Sequence, residues 1–117
     1  MLSGIYFYVD DRGHKPVKEF IEALPLRDQA KVLAYLDQLR KQGHNLRRPM
    51  ADYLGDRIYE LRPGDNRIFY FFFLKDNAVL LHALRKRTDK IPRGDLGLCL
   101  KRIKQVEAGS DPESMDS

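Results

Sequence analysis

The spacing of apolar residues changes period along the first part of the chain, and each change predicts a different element. Residues 5–9 (IYFYV) are aromatic and β-branched, which is typical of a strand. Pro16 suits the first position of a helix, where its missing N–H is no loss. Pro25 would end that helix. The apolar residues of this first helix recur at helical spacing: Val17, Phe20, Ile21 and Leu24.

A longer amphipathic helix is predicted from about Leu26 to Gln42. Gly43 is suited to stop it, since glycine adopts the conformations in which helices end. Together with the first helix it would form a helical hairpin. Its buried stripe is predicted to consist of Val32, Leu33, Leu36 and Leu39.

The second half of the chain predicts three further strands, after a segment at 44–56 that looks irregular. The strands are expected at residues 57–62, 67–74 and 78–84. The turns between them (PGDN and KDN) are short, which implies antiparallel pairing. The middle strand, RIFYFFFL, is apolar on both faces, so we expect it to be central and covered on both sides.

A last short helix is predicted to begin at Asp95, whose carboxylate can cap its N-terminus. The apolar face of this helix would consist of Leu96, Cys99, Leu100 and Ile103. The predicted order is β-α-α-β-β-β-α. This is an α+β domain in which an N-terminal helical hairpin covers a small, mostly antiparallel sheet.

Length and composition indicate one domain, which we assign to residues 1–106 of the 117. Residues 107–117 hold four acids and no base, and are predicted to be a disordered tail. No window approaches the ~18 apolar residues of a membrane span, and the N-terminus does not resemble a secretory signal. Cys99 is the single cysteine, so no intrachain disulfide is expected and a cytoplasmic location is predicted.

The net charge of the chain indicates that its partner is anionic. The chain has 21 Lys and Arg against 17 Asp and Glu. Four of those acids lie in the tail, which leaves eight surplus positive charges on residues 1–106. A folded body with this surplus favours nucleic acid, an acidic protein or anionic lipid.

The basic residues cluster after the last strand, where Asp89 is the one acid among five cations. Antiparallel pairing would return Arg85, Lys86 and Arg87 to the sheet end that carries Arg62 and Arg67, on either side of the PGDN turn. Guanidinium groups match phosphate oxygens in pairs. The expected cluster is Arg85, Lys86, Arg87, Lys90 and Arg93, and a second basic pair lies at Arg47 and Arg48.

The sequence gives little support for a metal site, a reactive cysteine or a catalytic histidine. The three histidines are far apart, so no metal site and no cofactor are predicted. Cys99 lies on an apolar helix face, which indicates an inert thiol. His82 alternates with Leu80 and Leu84, so a structural role is favoured over a catalytic one. Glu60 shares a sheet face with Arg62 and is either its counter-ion, which we favour, or a proton acceptor.

Three passages, KPVKEFIEALP, YELRPGDNRIFYFF and LLHALRKRTDKIP, resemble in order and spacing the phage-derived HigB-like branch of the RelE/ParE toxin superfamily. The resemblance covers about residues 4–104. It implies a RelE-like fold and the toxin of a type II toxin–antitoxin pair, with a HigA-like helix-turn-helix antitoxin as partner. Most such toxins cleave mRNA on the ribosome without a metal, by attack of the 2′-hydroxyl on the neighbouring phosphorus.

The resemblance also implies roles for individual residues. Arg67 would stabilise the transition state, while Arg62 and Lys86 would hold the substrate phosphate. The other cations of the basic clusters are predicted from their charge to bind RNA: Arg47, Arg48, Arg85, Arg87, Lys90 and Arg93.

Departures from the family pattern leave the proton-transfer groups open. The second Lys of the usual pair is Arg87, which releases a proton with difficulty because its pKa exceeds ~12. The candidates for general acid and base are Lys86, Glu60, His82 and Tyr59. Two other functions stay open: a ParE-like DNA gyrase inhibitor, and a catalytically inactive RNA-binding relative.

Overall fold

The structure is a computed structural model that describes residues 1–86 and 90–116. Arg87, which the sequence predicts to bind RNA, lies outside the described residues. The described elements, in chain order, are β1 (Gly4–Phe7), α1 (Pro16–Glu22), α2 (Leu26–Gln42), a single 3-10 turn (Gly43–Asn45), β2 (Ala51–Gly55), β3 (Ile58–Leu61), β4 (Asn66–Phe73), β5 (Asn77–Arg85), α3 (Arg93–Glu107) and β6 (Glu113–Ser114).

The strands form one sheet in the order β2-β3-β4-β5-β1-β6. The pairing of β1 with β5 is parallel, and the remaining pairings are antiparallel. The α+β architecture and the covering helical hairpin are therefore confirmed. Within the described residues, no helix combines the length and the apolar character that a membrane crossing requires.

The two faces of the sheet carry separate apolar clusters, and β4 contributes to both. Ile68 and Tyr70 pack towards the α1–α2 hairpin, whereas Phe69 and Phe71 pack towards α3. All four side chains are fully buried. The doubly apolar sequence of β4 thus reflects a central strand that is covered on one face by the hairpin and on the other by α3.

The segment at 44–56, predicted to be irregular, contains the edge strand β2. Ala51 pairs with Leu61, and Gly55 pairs with Ile58 across a tight turn. Both turn residues, Asp56 and Arg57, have positive φ (51° and 67°). Hairpin turns of this type usually contain Asn-Gly or Asp-Gly, so the sequence Asp-Arg gives no turn signal.

Three predicted side-chain positions are wrong because the helices are rotated or shifted relative to expectation. Leu33 is 53% exposed, since the buried face of α2 follows Val32, Leu36 and Leu39. The helix α3 begins at Arg93, so Asp95 lies in its first turn rather than at its cap. Leu100 is exposed, while Cys99, Ile103 and Val106 form the buried face of α3.

The tail is paired with the folded body, contrary to the prediction that it is disordered. Residues Glu113–Ser114 form β6 against β1. Glu113 lies 2.9 Å from the Lys15 ammonium, and Asp116 lies 3.1 Å from the Arg40 guanidinium. The acidic tail therefore finds cations on the basic body, an attraction that composition of the tail alone does not reveal.

The rotation of α2 can be tested with two leucines of the same helix. Leu36→Ala should lower the free energy of unfolding by about 2–5 kcal/mol, because Leu36 is fully buried and its removal leaves a cavity. The exposed Leu33→Ala should change it by less than about 0.5 kcal/mol. Urea denaturation measures both values. Equal losses at the two positions would show that α2 buries a different face.

Candidate phosphate-binding site

Strand alternation brings a carboxylate and two guanidiniums together on the sheet face that α3 covers. Glu60 of β3 lies opposite Phe69, and Arg67 of β4 lies opposite Leu84. Phe69 and Leu84 both belong to the apolar cluster beneath α3. Arg62, two residues after Glu60, follows on the same face.

Arg67 is held in place from several sides. It is 6% exposed, and its Nε lies 3.5 Å from Glu60 Oε1. One of its terminal nitrogens, Nη1, donates hydrogen bonds to the carbonyls of Gly64 (2.6 Å) and Asn66 (2.8 Å). Gly64, in the PGDN turn, has a φ of +64°, so the turn that aims its carbonyl at Arg67 favours glycine. The result is a guanidinium with a fixed orientation.

Glu60 is the shared counter-ion of the two arginines. Its other oxygen, Oε2, lies 3.9 Å from Arg62 Nε. Burial raises the pKa of Glu60 above its ordinary value, while the charges of Arg67 and Arg62 oppose this rise. The arrangement agrees with the counter-ion role favoured from the sequence.

These groups line a pocket of about 480 Å³. Its walls are partly apolar, with Leu54, Leu84, Ile91 and Pro92, and carry the acids Asp52, Glu60 and Asp95. The convergence that the hairpin turns predict is observed for Arg62, Arg67, Arg85 and Lys86. Among the described residues, Arg48 and Lys90 also line the pocket. Several positive side chains in one pocket can bind an oxyanion bidentately. Because the apolar part of the pocket excludes water, that contact is stronger than it would be in solvent.

Two cations predicted to bind RNA do not line this pocket. The guanidinium of Arg47 donates to the carbonyls of its own segment, at His44 and Leu46. Arg93 is exposed at the start of α3. Arg48 does line the pocket, but its guanidinium is 2.7 Å from Asp52 Oδ2, which offsets its charge.

Tyr59 is excluded as a proton-transfer group by its position. It lies on the hairpin face of the sheet, where its ring stacks on Tyr70 with 5.4 Å between centroids. The pocket is on the opposite face. Cys99 is fully buried, and burial raises the pKa of its thiol to about 12, in agreement with the inert thiol expected from the sequence.

A β-bulge in β5 determines where His82 lies. Tyr70 pairs with Leu80 and Phe69 with His82, so Leu81 is an extra residue between them. The bulge moves His82 to the face opposite Leu80, which the assumed strict alternation did not predict. There its ring stacks on Phe69, and its Nε2 is 2.6 Å from Asp95 Oδ1.

Asp52 and Asp95 line the pocket although the sequence did not mark them as site residues. Asp52 belongs to the unpredicted strand β2, and Asp95 was assigned to a helix cap. The sequence signal that could have marked Asp95 as a site residue was its position shortly after Pro92 and the run of cations. In the described parts of the chain, no group of three or more His, Cys, Asp or Glu side chains is arranged to hold a metal ion.

The fold and the pocket define a small basic α+β protein with a cation-lined pocket on one sheet face. The chain belongs to the phage-derived Gp49-like family (DUF891), a family of RelE/HigB-like toxins, whose model matches residues 19–104. The matched range includes all the residues that line the pocket. A comparison with curated proteins gave no match.

Glu60→Gln should change stability in a pH-dependent way. Because the folded-state pKa of Glu60 is raised, the protonated carboxyl contributes stability that is complete below the unfolded value of about 4.5 and is lost as pH rises through the folded-state pKa. Glutamine cannot ionise, so the variant should gain stability relative to wild type as pH rises from 4 to 7. Urea denaturation at several pH values measures this.

The matched control for this experiment is Glu22→Gln, an exposed acid on α1. Its stability difference from wild type should not follow pH in the same way. A Glu60→Gln variant that loses stability relative to wild type as pH rises would contradict the assignment of Glu60 as a buried carboxyl with a raised pKa.

The contact between Asp95 and His82 should hold the first turn of α3 against β5. Asp95→Ala should speed amide hydrogen exchange at residues 93–98 by roughly tenfold, because a charged hydrogen bond is lost there. Exchange in β4 should stay unchanged, and Asp111→Ala, an exposed acid outside α3, should have no effect. Unchanged exchange at 93–98 would show that the pair does not anchor the helix.

Proposed function

We propose that this protein is the toxin of a type II toxin–antitoxin pair and acts in the cytoplasm as a ribosome-dependent mRNA endonuclease. The single observation that carries the proposal is Arg67: a buried, oriented guanidinium at a pocket lined by further cations. Membership of a RelE/HigB-like toxin family and the resemblance of three sequence passages to the HigB-like branch support the same assignment.

The chemistry that suits this pocket is an internal transesterification. The 2′-oxygen of the substrate ribose attacks the adjacent phosphorus, the P–O5′ bond breaks, and a 2′,3′-cyclic phosphate remains. The 2′-hydroxyl loses its proton to a base, and the leaving 5′-oxygen receives one from an acid. No metal or cofactor is required, because positive side chains can stabilise the charge of the pentacoordinate phosphorus.

Arg67 is the residue best placed to stabilise that transition state. Its fixed orientation means that little reorganisation is needed when negative charge develops on the phosphorus. Arg62 is half-buried beside the same carboxylate, and Lys86 directly follows β5. In this proposal, Arg62 and Lys86 hold the non-bridging oxygens and orient the scissile bond.

The candidates for proton transfer are now limited to the groups on the pocket face of the sheet, which are Lys86, Glu60 and His82. Lys86 lines the pocket, and its backbone N–H is held by the Asp65 carbonyl at 2.7 Å. Glu60 has a raised pKa but is engaged by two guanidiniums, so the counter-ion role remains preferred. His82 acts through Asp95, which lines the pocket, and we assign it a positioning role.

We further propose a HigA-like antitoxin with a helix-turn-helix domain as the protein partner. An acidic segment of that antitoxin would occupy the cationic pocket and so compete with mRNA. The charge of the pocket and the family membership support this assignment.

Arg67→Ala should abolish growth arrest and lower the rate of mRNA cleavage by about 10²–10³-fold, the usual effect of removing one preorganised charge-stabilising donor. The measurement is mapping of mRNA 5′ ends minutes after induction from a tightly repressed promoter. Arg12→Ala removes an exposed arginine of the β1–α1 loop and serves as the matched control, with wild-type cleavage expected.

New 5′ ends inside translated codons that require translation initiation would support the proposed nuclease. Growth arrest with an SOS response and unchanged mRNA ends would replace it with gyrase inhibition. Absence of both arrest and new ends would indicate an inactive RNA-binding relative.

A further inference from the structure

The cation-lined pocket is larger than a phosphate group needs. Its volume of about 480 Å³ is within the range of pockets that hold a whole small ligand. Its lining also includes the apolar side chains Leu54, Leu84, Ile91 and Pro92. The proposed cleavage chemistry uses the phosphate and the 2′-hydroxyl, and it gives these apolar side chains no role. The base of the same nucleotide would suit them, because bases bury their ring faces against aromatic and apolar side chains.

Asp95 presents a fixed but accessible carboxylate to this pocket. His82 Nε2–H donates to its Oδ1 at 2.6 Å, and the His82 ring is itself stacked on Phe69. The Asp95 side chain is 27% exposed and lines the pocket. Because a carboxylate has two acceptor oxygens, Asp95 can accept a hydrogen bond from a ligand while it keeps the contact with His82.

The other described acids of the pocket, Asp52 and Glu60, are engaged by protein groups on both oxygens. One oxygen of Asp52 is 2.7 Å from a guanidinium nitrogen of Arg48, and the other accepts from a backbone N–H at 3.0 Å. Glu60 is 7% exposed, and each of its oxygens faces an arginine. Asp95 is therefore better placed than Asp52 or Glu60 to accept a hydrogen bond from a bound molecule.

The position of Asp95 relative to Arg67 fits one nucleotide. His82, which holds Asp95, and Leu84, which pairs with Arg67, are two residues apart on β5 and face the same side of the sheet. Two residues along a strand span roughly 7 Å. A nucleotide with its phosphate at Arg67 can therefore extend its base over Leu84 towards Asp95.

A carboxylate discriminates between bases because it accepts hydrogen bonds and cannot donate them. Cytosine and adenine carry an exocyclic amino group that donates, whereas uracil carries an oxygen in place of the cytosine amino group. We propose that Asp95 reads the base of the nucleotide whose phosphate lies at Arg67. It accepts a hydrogen bond from the exocyclic amino group, so that amino-bearing bases are preferred to uracil.

This inference rests on the proposed RNA substrate, and direct binding tests it separately from cleavage. The probes are fluorescently labelled 2′-O-methyl hexanucleotides of cytidine and of uridine, which cannot be cleaved and differ only at the pairing edge of the pyrimidine. Each probe is titrated with the full-length chain at constant salt, and fluorescence anisotropy gives the Kd. Wild type should bind the cytidine probe about tenfold more tightly than the uridine probe.

Asp95→Asn changes the hydrogen-bonding character of the side chain with little change of shape. Its amide oxygen can still accept from His82, while its amide nitrogen can donate to a ligand. The variant should bind the uridine probe at least as tightly as the cytidine probe, because uracil O4 accepts a hydrogen bond where the cytosine amino group donates one. Saturable binding of the uridine probe also shows that the variant is folded.

Asp52→Asn is the matched control, because it removes the same negative charge from the lining of the pocket. It should strengthen the binding of both probes and keep the preference of wild type for cytidine, since the added positive balance acts on every phosphate alike. A change of preference as large as that in Asp95→Asn would overturn the proposal, because the preference would then follow the charge of the pocket.

Equal affinity of wild type for the two probes would also overturn the proposal. So would a cytidine preference that persists in Asp95→Asn, and weaker binding of both probes at an unchanged ratio would reduce Asp95 to a structural role. The expected preferences without any mRNA cleavage in cells would keep the base-reading role and reject the nuclease. Cleavage in cells together with equal binding of the two probes would reject the base-reading role alone.

Discussion

The buried contact between Glu60 and Arg67 is the interaction on which the candidate site depends. Both side chains are almost completely buried, and their closest atoms are 3.5 Å apart. Desolvation of two charges is costly, and pairing them with good geometry offsets that cost only in part. A pair of this kind contributes less to stability than to orientation. Here it fixes a guanidinium at the wall of a cationic pocket.

The sheet face beneath α3 is apolar over most of its area and polar at one end, where the pair of Glu60 and Arg67 lies. The helix α3 packs on Phe69, Phe71 and Leu81 through Cys99, Ile103 and Val106. Its first turn meets the pocket, where Asp95 contacts His82. The opposite face is covered by the helical hairpin. The same sheet end carries the PGDN turn, whose carbonyls orient Arg67 on one side, while Lys31 lies close to its Gly64 on the other.

Local patterns predict much of this arrangement. The limits of α2, the position of Pro16 in α1 and the double burial of β4 follow from periodicity and turn residues, which act over short distances. The meeting of Arg62, Arg67 and Lys86 follows from the antiparallel hairpins alone. The roles of these residues in catalysis remain predictions that geometry supports without testing.

Features that depend on distant contacts are not visible in the sequence. The bulge at Leu81 changes the face of His82, and no local residue type announces it. The edge strand β2 ends in an Asp-Arg turn with positive φ, where the usual glycine is missing. The acidic tail pairs with Lys15 and Arg40, which are far from it in sequence. In each case a tertiary contact determines the local structure and overrides a weak conformational preference of the residues themselves.

The proposed function requires that RNA phosphate binds at the fixed guanidinium of Arg67. The most direct measurement is nitrogen-15 NMR of the arginine Nε–H signals during titration with an uncleavable 2′-O-methyl RNA strand. We predict saturable shifts of the Arg67 and Arg62 signals, while the signal of Arg12 on the β1–α1 loop stays unchanged. Binding of the RNA that shifts surface arginines and leaves Arg67 and Arg62 unaffected would contradict it.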